Sequence, residues 1–533
     1  MAHGRRRGNV FRGGRVFRVG LRVGLANLWL LALIACSRTA HETQHAARAP
    51  LTGGESEWFL TYLDRQLAGS LQVVTQSDTD GTVLVRMLQR IKVKRGTVPL
   101  EMEMFLETRE DAKGRLLAVR SEQKLSGQTL NSTGRVENGV LFLEDRRGTS
   151  PPRAQQVPVP PEAVGLHAAE QNLRTFLGTA KEGETFDTVT FSSDVGRFGK
   201  ETTTVAPMEE VLVEKTPQRL RRLRVQQELL PGVEFTKWTD ANGQLAKMSM
   251  PFFGGMKLEY VRSTRERVLT ADLESPPEVF LSASVPVNRS VPRGCEQAVY
   301  RLRLRTSLPD GTGSGKEPTE VDFRERKLFS QSGQKLIRRD ANGYLLEVRK
   351  VSPAESVPLP CPLPAEPAAK AYLGANAYIE ADDAEIIRTA REVVGTETEG
   401  WRAAQKLERW VHENVHDKNL ATAFASAKEV LATRSGDCTE HSVLLTALAR
   451  ATGIPARVVS GLVYFDGAFV GHMWTEVYVG KWVPLDATRG DGSVGGDHIA
   501  LVASSLEKDS VVEMFVVLMP FLGNLDIEVL EAR

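Results

Sequence analysis

Three side chains that together can make and break acyl bonds stand in one C-terminal stretch: the thiol of Cys438, the imidazole of His472 and the carboxylate of Asp486. Cys438 lies in the run RSGDCTEHSVLLTALARATGIPARVV, from Arg434 to Val459, directly after the turn residues Gly436 and Asp437. Val443, Leu444, Leu445, Ala447 and Leu448 predict a mostly apolar helix behind it, and Gly453 and Pro455 are residues that end one. A thiol on the first turn of a helix meets unpaired backbone N–H groups and the positive end of the helix dipole, which favour the thiolate. A lone cysteine is as often an inert core residue, so position alone does not decide its role. Cys438, His441, His472 and Asp486 are also zinc-ligand types, but only Cys438 and His441 have the short spacing of a ligand pair. Neither a metal nor a cofactor is expected.

Three strand-like runs follow the helix: ARVVSGLVYF, GHMWTEVYV and KWVPLDAT. Asp466-Gly467 forms a hairpin turn between the first two. His472 opens the second and Asp486 lies near the end of the third. A helix-end cysteine beside a histidine and an aspartate on neighbouring strands gives the thiol a base and gives the base an orienting acid. On the strand of His472, alternation puts His472, Trp474, Glu476 and Tyr478 on one face. A two-residue turn at Gly480-Lys481 would then pair Thr475 with Asp486 and turn Asp486 away from His472. A three-residue loop, Val479-Gly480-Lys481, pairs Tyr478 with Trp482 and sets Asp486 diagonally beside His472. That loop is predicted.

These blocks resemble the transglutaminase-like superfamily of papain-related cysteine enzymes, and its bacterial secreted and membrane-linked branch in particular. The resemblance covers roughly residues 380–505, about a quarter of the chain, and each of its blocks is specific. It implies a transglutaminase core with Cys438 as nucleophile, His472 as base and Asp486 as orienting acid. It also implies a thioester formed from an amide, whose acyl group passes to an amine or to water, with the Cys438 backbone N–H as one oxyanion donor. Family members commonly carry one more residue between the His and Asp strands than the Gly480-Lys481 found here.

The other polar and aromatic residues of this region have simpler readings. His441, one turn after Cys438, reads as a solvated or hydrogen-bonded histidine of the first helical turn. Trp474 and Trp482 read as packing residues of the sheet. His412, His416 and His498 read as surface residues.

The rest of the chain sets the context. Its 533 residues exceed one ordinary core, so two to four domains are expected. The first 35 residues hold seven arginines and no acidic residue, then an apolar run too short to span a bilayer, the pattern of a signal peptide. Leu33 to Cys36, LIAC, resembles a bacterial lipobox, which implies acylation of Cys36 and a membrane-anchored lipoprotein. Ser37 after it leans toward the periplasmic side of the outer membrane. Without residues 1–35 the chain is mildly acidic, and nothing in it points to nucleic acid. Cys295 and Cys361 flank a β-rich segment and form a possible disulfide in an oxidising compartment, which leaves Cys438 as the odd thiol.

Residues 36–55 read as a polar tether, 56–285 as a β-rich domain, 286–351 as a small β domain, 352–367 as a proline-rich linker and 368–533 as the transglutaminase-like domain. The turn phrases DAKGRL, DANGQL and DANGYL, beginning at Asp111, Asp240 and Asp340, recur between strand-like runs. They mark either an internal duplication or the shared chemistry of good hairpin turns. The fold class expected is α+β: a papain-like C-terminal core after a large antiparallel β-rich region. The function expected is an exported cysteine enzyme acting on amide bonds of a peptide or protein substrate. The rival is a catalytically idle scaffold of the same fold in the cell envelope. The sequence sets neither the substrate nor the oligomeric state.

Overall fold

The computed structural model describes residues 48–95, 98–125, 128–147, 152–230, 233–252, 256–279, 284–304, 333–340, 343–353, 356–365, 369–416, 425–492, 494–506 and 525–533. The expected signal peptide and Cys36 lie outside them, as does the centre of the third turn phrase.

Residues from Glu55 to Ser263 form one 14-stranded antiparallel sheet. Strands β1 (Glu55–Leu63) through β8 (Arg153–Pro158) meander from the centre to one edge, and β9 (Thr185–Ser192) through β14 (Lys257–Ser263) return from the opposite edge to the centre, where β1 and β14 pair. Alternation builds these strands: Met102, Met104 and Leu106 turn into the core, while their glutamate neighbours Glu101, Glu103 and Glu107 do not. Gln89 donates to the Tyr260 hydroxyl at 2.6 Å across two intervening strands, so the sheet curls over its own apolar face. The turns at Asp111 and Asp240 share one geometry. In each, the aspartate Oδ1 accepts the N–H groups two and four residues on, and the glycine takes a positive φ. Both readings of the repeated phrase fit this likeness.

After the large sheet the short strand β15 (Val285–Pro286) crosses to a second sheet. A third, four-stranded sheet runs β17 (Gln334–Asp340), β18 (Gly343–Arg349), β16 (Gln297–Leu304) and β23 (Leu525–Ala532). Its last strand is the C-terminal end of the chain, so residues read as a small separate domain share a sheet with the segment after the linker.

Helices α1 (Leu166–Leu177) and α2 (Arg265–Leu269) accompany the large sheet. Four more are grouped before the second sheet: α3 (Ala384–Val394), α4 (Gly400–Asn414), α5 (Ala427–Thr433) and α6 (Cys438–Ala451). Strands β19 (Ala456–Phe465), β20 (Ala468–Tyr478), β21 (Trp482–Leu485) and β22 (His498–Ser504) follow, with β15 and β21 on one edge of β20, β19 on the other, and β22 beyond β19. The expected α+β class with a papain-like core is therefore corrected. The chain is mostly β, 50% strand against 17% helix. Helical periodicity is limited to a few runs of at most 15 residues, whereas period-two alternation extends over hundreds of residues. No helix among the described residues is long and apolar enough to cross a membrane.

Candidate active site

Helix α6 starts at Cys438, the first residue after its cap. Asp437 accepts the Thr439 N–H, and Glu440 reaches back to the Asp437 N–H at 3.0 Å, a reciprocal capping box. The second Glu440 oxygen accepts the Ala425 N–H at 2.9 Å and ties the helix start to the segment that opens α5. Burial, and then the neighbouring Asp437 charge, hold the Glu440 carboxyl well above its ordinary range. Gly436 is required here: its φ is +147°, and a Cβ would lie 2.2 Å from the Glu440 side chain. From Ser435 to Arg450 every residue is buried except Cys438. An almost wholly enclosed helix thus leaves its thiol-bearing first residue partly open to solvent.

The contacts of α6 set its direction. Thr475 on β20 donates from Oγ1 to the Ser442 carbonyl at 3.1 Å and lies 3.3 Å from the Thr446 hydroxyl. Past the C-terminal end of the helix, the Pro455 carbonyl accepts the Tyr478 N–H. Helix and strand therefore run in the same sense, and Cys438 sits toward the end of β20 where His472 stands.

His472 and Asp486 meet. Tyr478 pairs with Trp482 and Thr475 with Leu485, so Val479-Gly480-Lys481 is the three-residue loop that the side-chain faces required. Gly480 has φ +80°, and the Val479 N–H bonds to the Lys481 carbonyl. The His472 Nε2 lies 2.8 Å from the Asp486 Oδ2. His472 is 10% exposed and Asp486 1%. Burial pushes the Asp486 carboxyl up, but the imidazoles of His472 and His498 outweigh it and hold it well below the carboxylate range.

His498 is a correction. It is buried at the start of β22, with Nε2 3.5 Å from the Asp486 Oδ2 and Nδ1 3.0 Å from the Asp497 Oδ1. Asp497 in turn accepts from Arg489 at 2.6 Å and from the Gly294 backbone. The pairing explains the approach: His472 lies opposite Gly461 and His498 opposite Val463, two residues apart on the same face of β19. Gly461 leaves room there for Trp474, whose ring stacks on His472 at 6.2 Å and meets His498 edge-on at 5.2 Å. Both Trp474 and Trp482 are buried packing residues, as expected.

The remaining expectations divide. His441 is hydrogen-bonded, the second of its two readings, and buried, with Nδ1 2.6 Å from the Asp437 carbonyl oxygen. His412 is partly buried against the Ala487 carbonyl, and His416 is exposed. The possible Cys295–Cys361 disulfide does not form. Both are free buried thiols in different places, Cys295 against Gly496 and Cys361 against Gly400. Burial, then the charge of Asp497, raises the Cys295 thiol; burial, then Glu399, raises Cys361 to about 11. Among the described residues, the group whose potential ligand atoms all lie within 4.8 Å is His472, Asp486 and His498, and their contacts with one another account for that closeness.

Glu408 of α4 is a further group that sequence reading did not find. It is 4% exposed, and burial followed by the Asp486 charge raises its carboxyl to about 7.

Residues 387–487 match the model of the transglutaminase-like superfamily. The C-terminal part of this chain is transglutaminase-like. The match takes in Cys438, His472 and Asp486 and stops short of His498. An uncharacterised protein of Haemophilus influenzae is 28% identical over 144 residues, 22% of this chain and 39% of that one, so the chain spans well under half of that relative. Among solved structures, a β-barrel-like protein of a domain of unknown function from Brucella abortus aligns with a TM-score of 0.32 at 11% identity, over 39% of this chain and 95% of its own. A protein from Cytophaga hutchinsonii provisionally named a cysteine protease aligns at 0.25 and 15% identity, over 46% of this chain and 79% of its own.

Proposed function

We propose that the transglutaminase-like part is a cysteine enzyme acting on amide bonds in a peptide or protein substrate through a thioester. The observation that carries this reading is the placement of Cys438, the partly exposed first residue of an otherwise almost wholly buried helix, toward the end of the strand where His472 is bonded to Asp486.

With Nε2 engaged by Asp486, the Nδ1 of His472 is the base. It takes the Cys438 proton, and the thiolate attacks the amide carbonyl, with the Cys438 N–H as one oxyanion donor. Collapse of the tetrahedral adduct breaks the C–N bond, and the proton on Nδ1 leaves with the amine. An amine or water then attacks the thioester, giving its proton to His472, and the released thiolate recovers it. The acyl acceptor decides between transamidation and hydrolysis. The lipoprotein reading of Cys36 fits this proposal, since it places the enzyme at the cell-envelope surface.

The test is alkylation by an iodoacetamide probe across pH. Cys438 should react well below the ordinary thiol value of about 8.5, while the raised thiols of Cys295 and Cys361 serve as silent controls. His472→Ala should return Cys438 to ordinary behaviour. Cys438→Ser should keep the fold and abolish turnover; retained turnover would remove the reading.

A further inference from the structure

The geometry points to His498 as a positioning residue of this site: a doubly protonated imidazole between Asp486 and Asp497 that sets how strongly Asp486 holds the charged form of His472. This rests on the functional reading above.

Each ring nitrogen of His498 faces a carboxylate oxygen, at 3.0 Å on the Asp497 side and 3.5 Å on the Asp486 side. A neutral imidazole has a single N–H, so one of these contacts would set a lone pair against an anionic oxygen. The residue is 2% exposed, which leaves little water to screen that repulsion. Two N–H donors satisfy both contacts. Burial alone would favour the neutral ring, but Asp486 and Asp497 outweigh it and raise the group.

The charged neighbours are consistent with one positive ring here. Asp497 is anionic, held down by His498 and Arg489. Asp486 is anionic between the two imidazoles. Glu408, whose field reaches Asp486, is half neutralised near pH 7, and Cys295 beside Asp497 remains a thiol. Trp474 closes the remaining side with a ring edge.

The consequence lies in the shared atom. His472 and His498 both turn Nε2 toward the same Asp486 Oδ2. A cation on His498 draws on the charge that would otherwise stabilise His472 as an imidazolium. His498 therefore orients Asp486 and also weakens its hold, which limits the pH range over which a thiolate–imidazolium pair survives on the alkaline side.

The experiment measures the pH dependence of Cys438 alkylation by iodoacetate, an anion that the imidazolium attracts, in the parent protein and in two variants, His498→Gln and Asp497→Asn. The parent should give a bell with an acid limb for thiolate formation and an alkaline limb for loss of the imidazolium proton. Both variants should move the alkaline limb upward by about half to one pH unit, because each weakens the competing cation. Asp497→Asn keeps the imidazole in place and decides the matter alone should His498→Gln fail to fold. Variants that react more slowly but keep the parent's alkaline limb would overturn the proposal, since a residue that merely fills space changes the rate without moving that limb. An ordinary thiol profile in the parent would instead remove the nucleophile reading and the proposal with it, an outcome distinct from the first.

Discussion

At the residue scale the site depends on two buried carboxyl groups of opposite disposition. Asp486 is held ionised by imidazoles, and its negative charge is what keeps His472 oriented and favours the imidazolium. Asp486→Asn should leave the fold intact and lower turnover by on the order of 100-fold or more, measured as kcat/KM on an amide substrate. Glu408 is the reverse case, a carboxyl raised to about 7 mainly by burial. Its folded value lies above its unfolded one, so the folded state binds the proton more tightly. The stability this contributes is fully present below about pH 4 and is lost as pH rises through about 7. Glu408→Gln should therefore match the parent near pH 4 and exceed it by about 3 kcal/mol near pH 8, read by thermal melting at the two pH values. Cys438, His472 and Asp486 were legible in the sequence because their spacing and flanking turns are local. Glu408 and His498 were not. Each becomes part of the site through packing between elements distant in sequence, and a lone histidine or glutamate carries no local mark of that. The pairing of Cys295 with Cys361 failed for a related reason: counting cysteines supplies no distance between them.

At the element scale the loop after β20 was legible, because alternation leaves only one register that puts Asp486 beside His472. The capping boxes of α5 (Ser426 with Glu429) and α6 (Asp437 with Glu440) are equally local, each closed within four residues. What alternation did not reveal was the role of Gly461 in the middle of β19, where a strand gains nothing from a glycine. A Cβ there would lie 2.2 Å from the Ile499 carbonyl oxygen and 2.7 Å from the Trp474 ring. The glycine lets β22 and the indole close over the strand, and that closure brings His498 toward Asp486. Gly461→Ala should destabilise the protein by about 1–3 kcal/mol through overpacking and slow Cys438 alkylation as the histidine pair shifts. A variant with the parent's melting temperature and alkylation rate would show that the sheet accommodates the methyl group without rearranging the site.

At the scale of the whole molecule, the large β-rich half was legible from alternation, whereas its gathering into one sheet was not, because strand order depends on pairings far apart in the chain. The same limit hid the partnership between the last strand and residues before the proline-rich linker. β23 pairs with β16 along its length, and the Asn288 side chain acts as a further strand segment, donating to the Val529 carbonyl and accepting its N–H. Leu525, Ile527 and Val529 are buried there. The sheet that β23 completes borders the site: the Cys295 carbonyl accepts the Gly496 N–H, the Tyr300 hydroxyl bonds to the Gly496 carbonyl, and Gly294 reaches Asp497. Removing residues 525–533 would expose one whole edge of β16 and strip two hydrogen bonds from Asn288. The loop from Gly294 to Gln297 would then lose the strand that pins it. The truncated protein should keep the 14-stranded sheet, since neither β1 nor β14 pairs with β23, and the circular dichroism of its strands should change little. Cys295 should become open to iodoacetamide near pH 8, where the parent's is silent, and turnover should fall as Asp497 loses its support. Mass spectrometry of the alkylated peptides separates the outcomes. A silent Cys295 in the truncated protein would mean that the loop is held by the Gly495-Gly496 contact alone, and that the C-terminal strand closes a sheet without reaching the site.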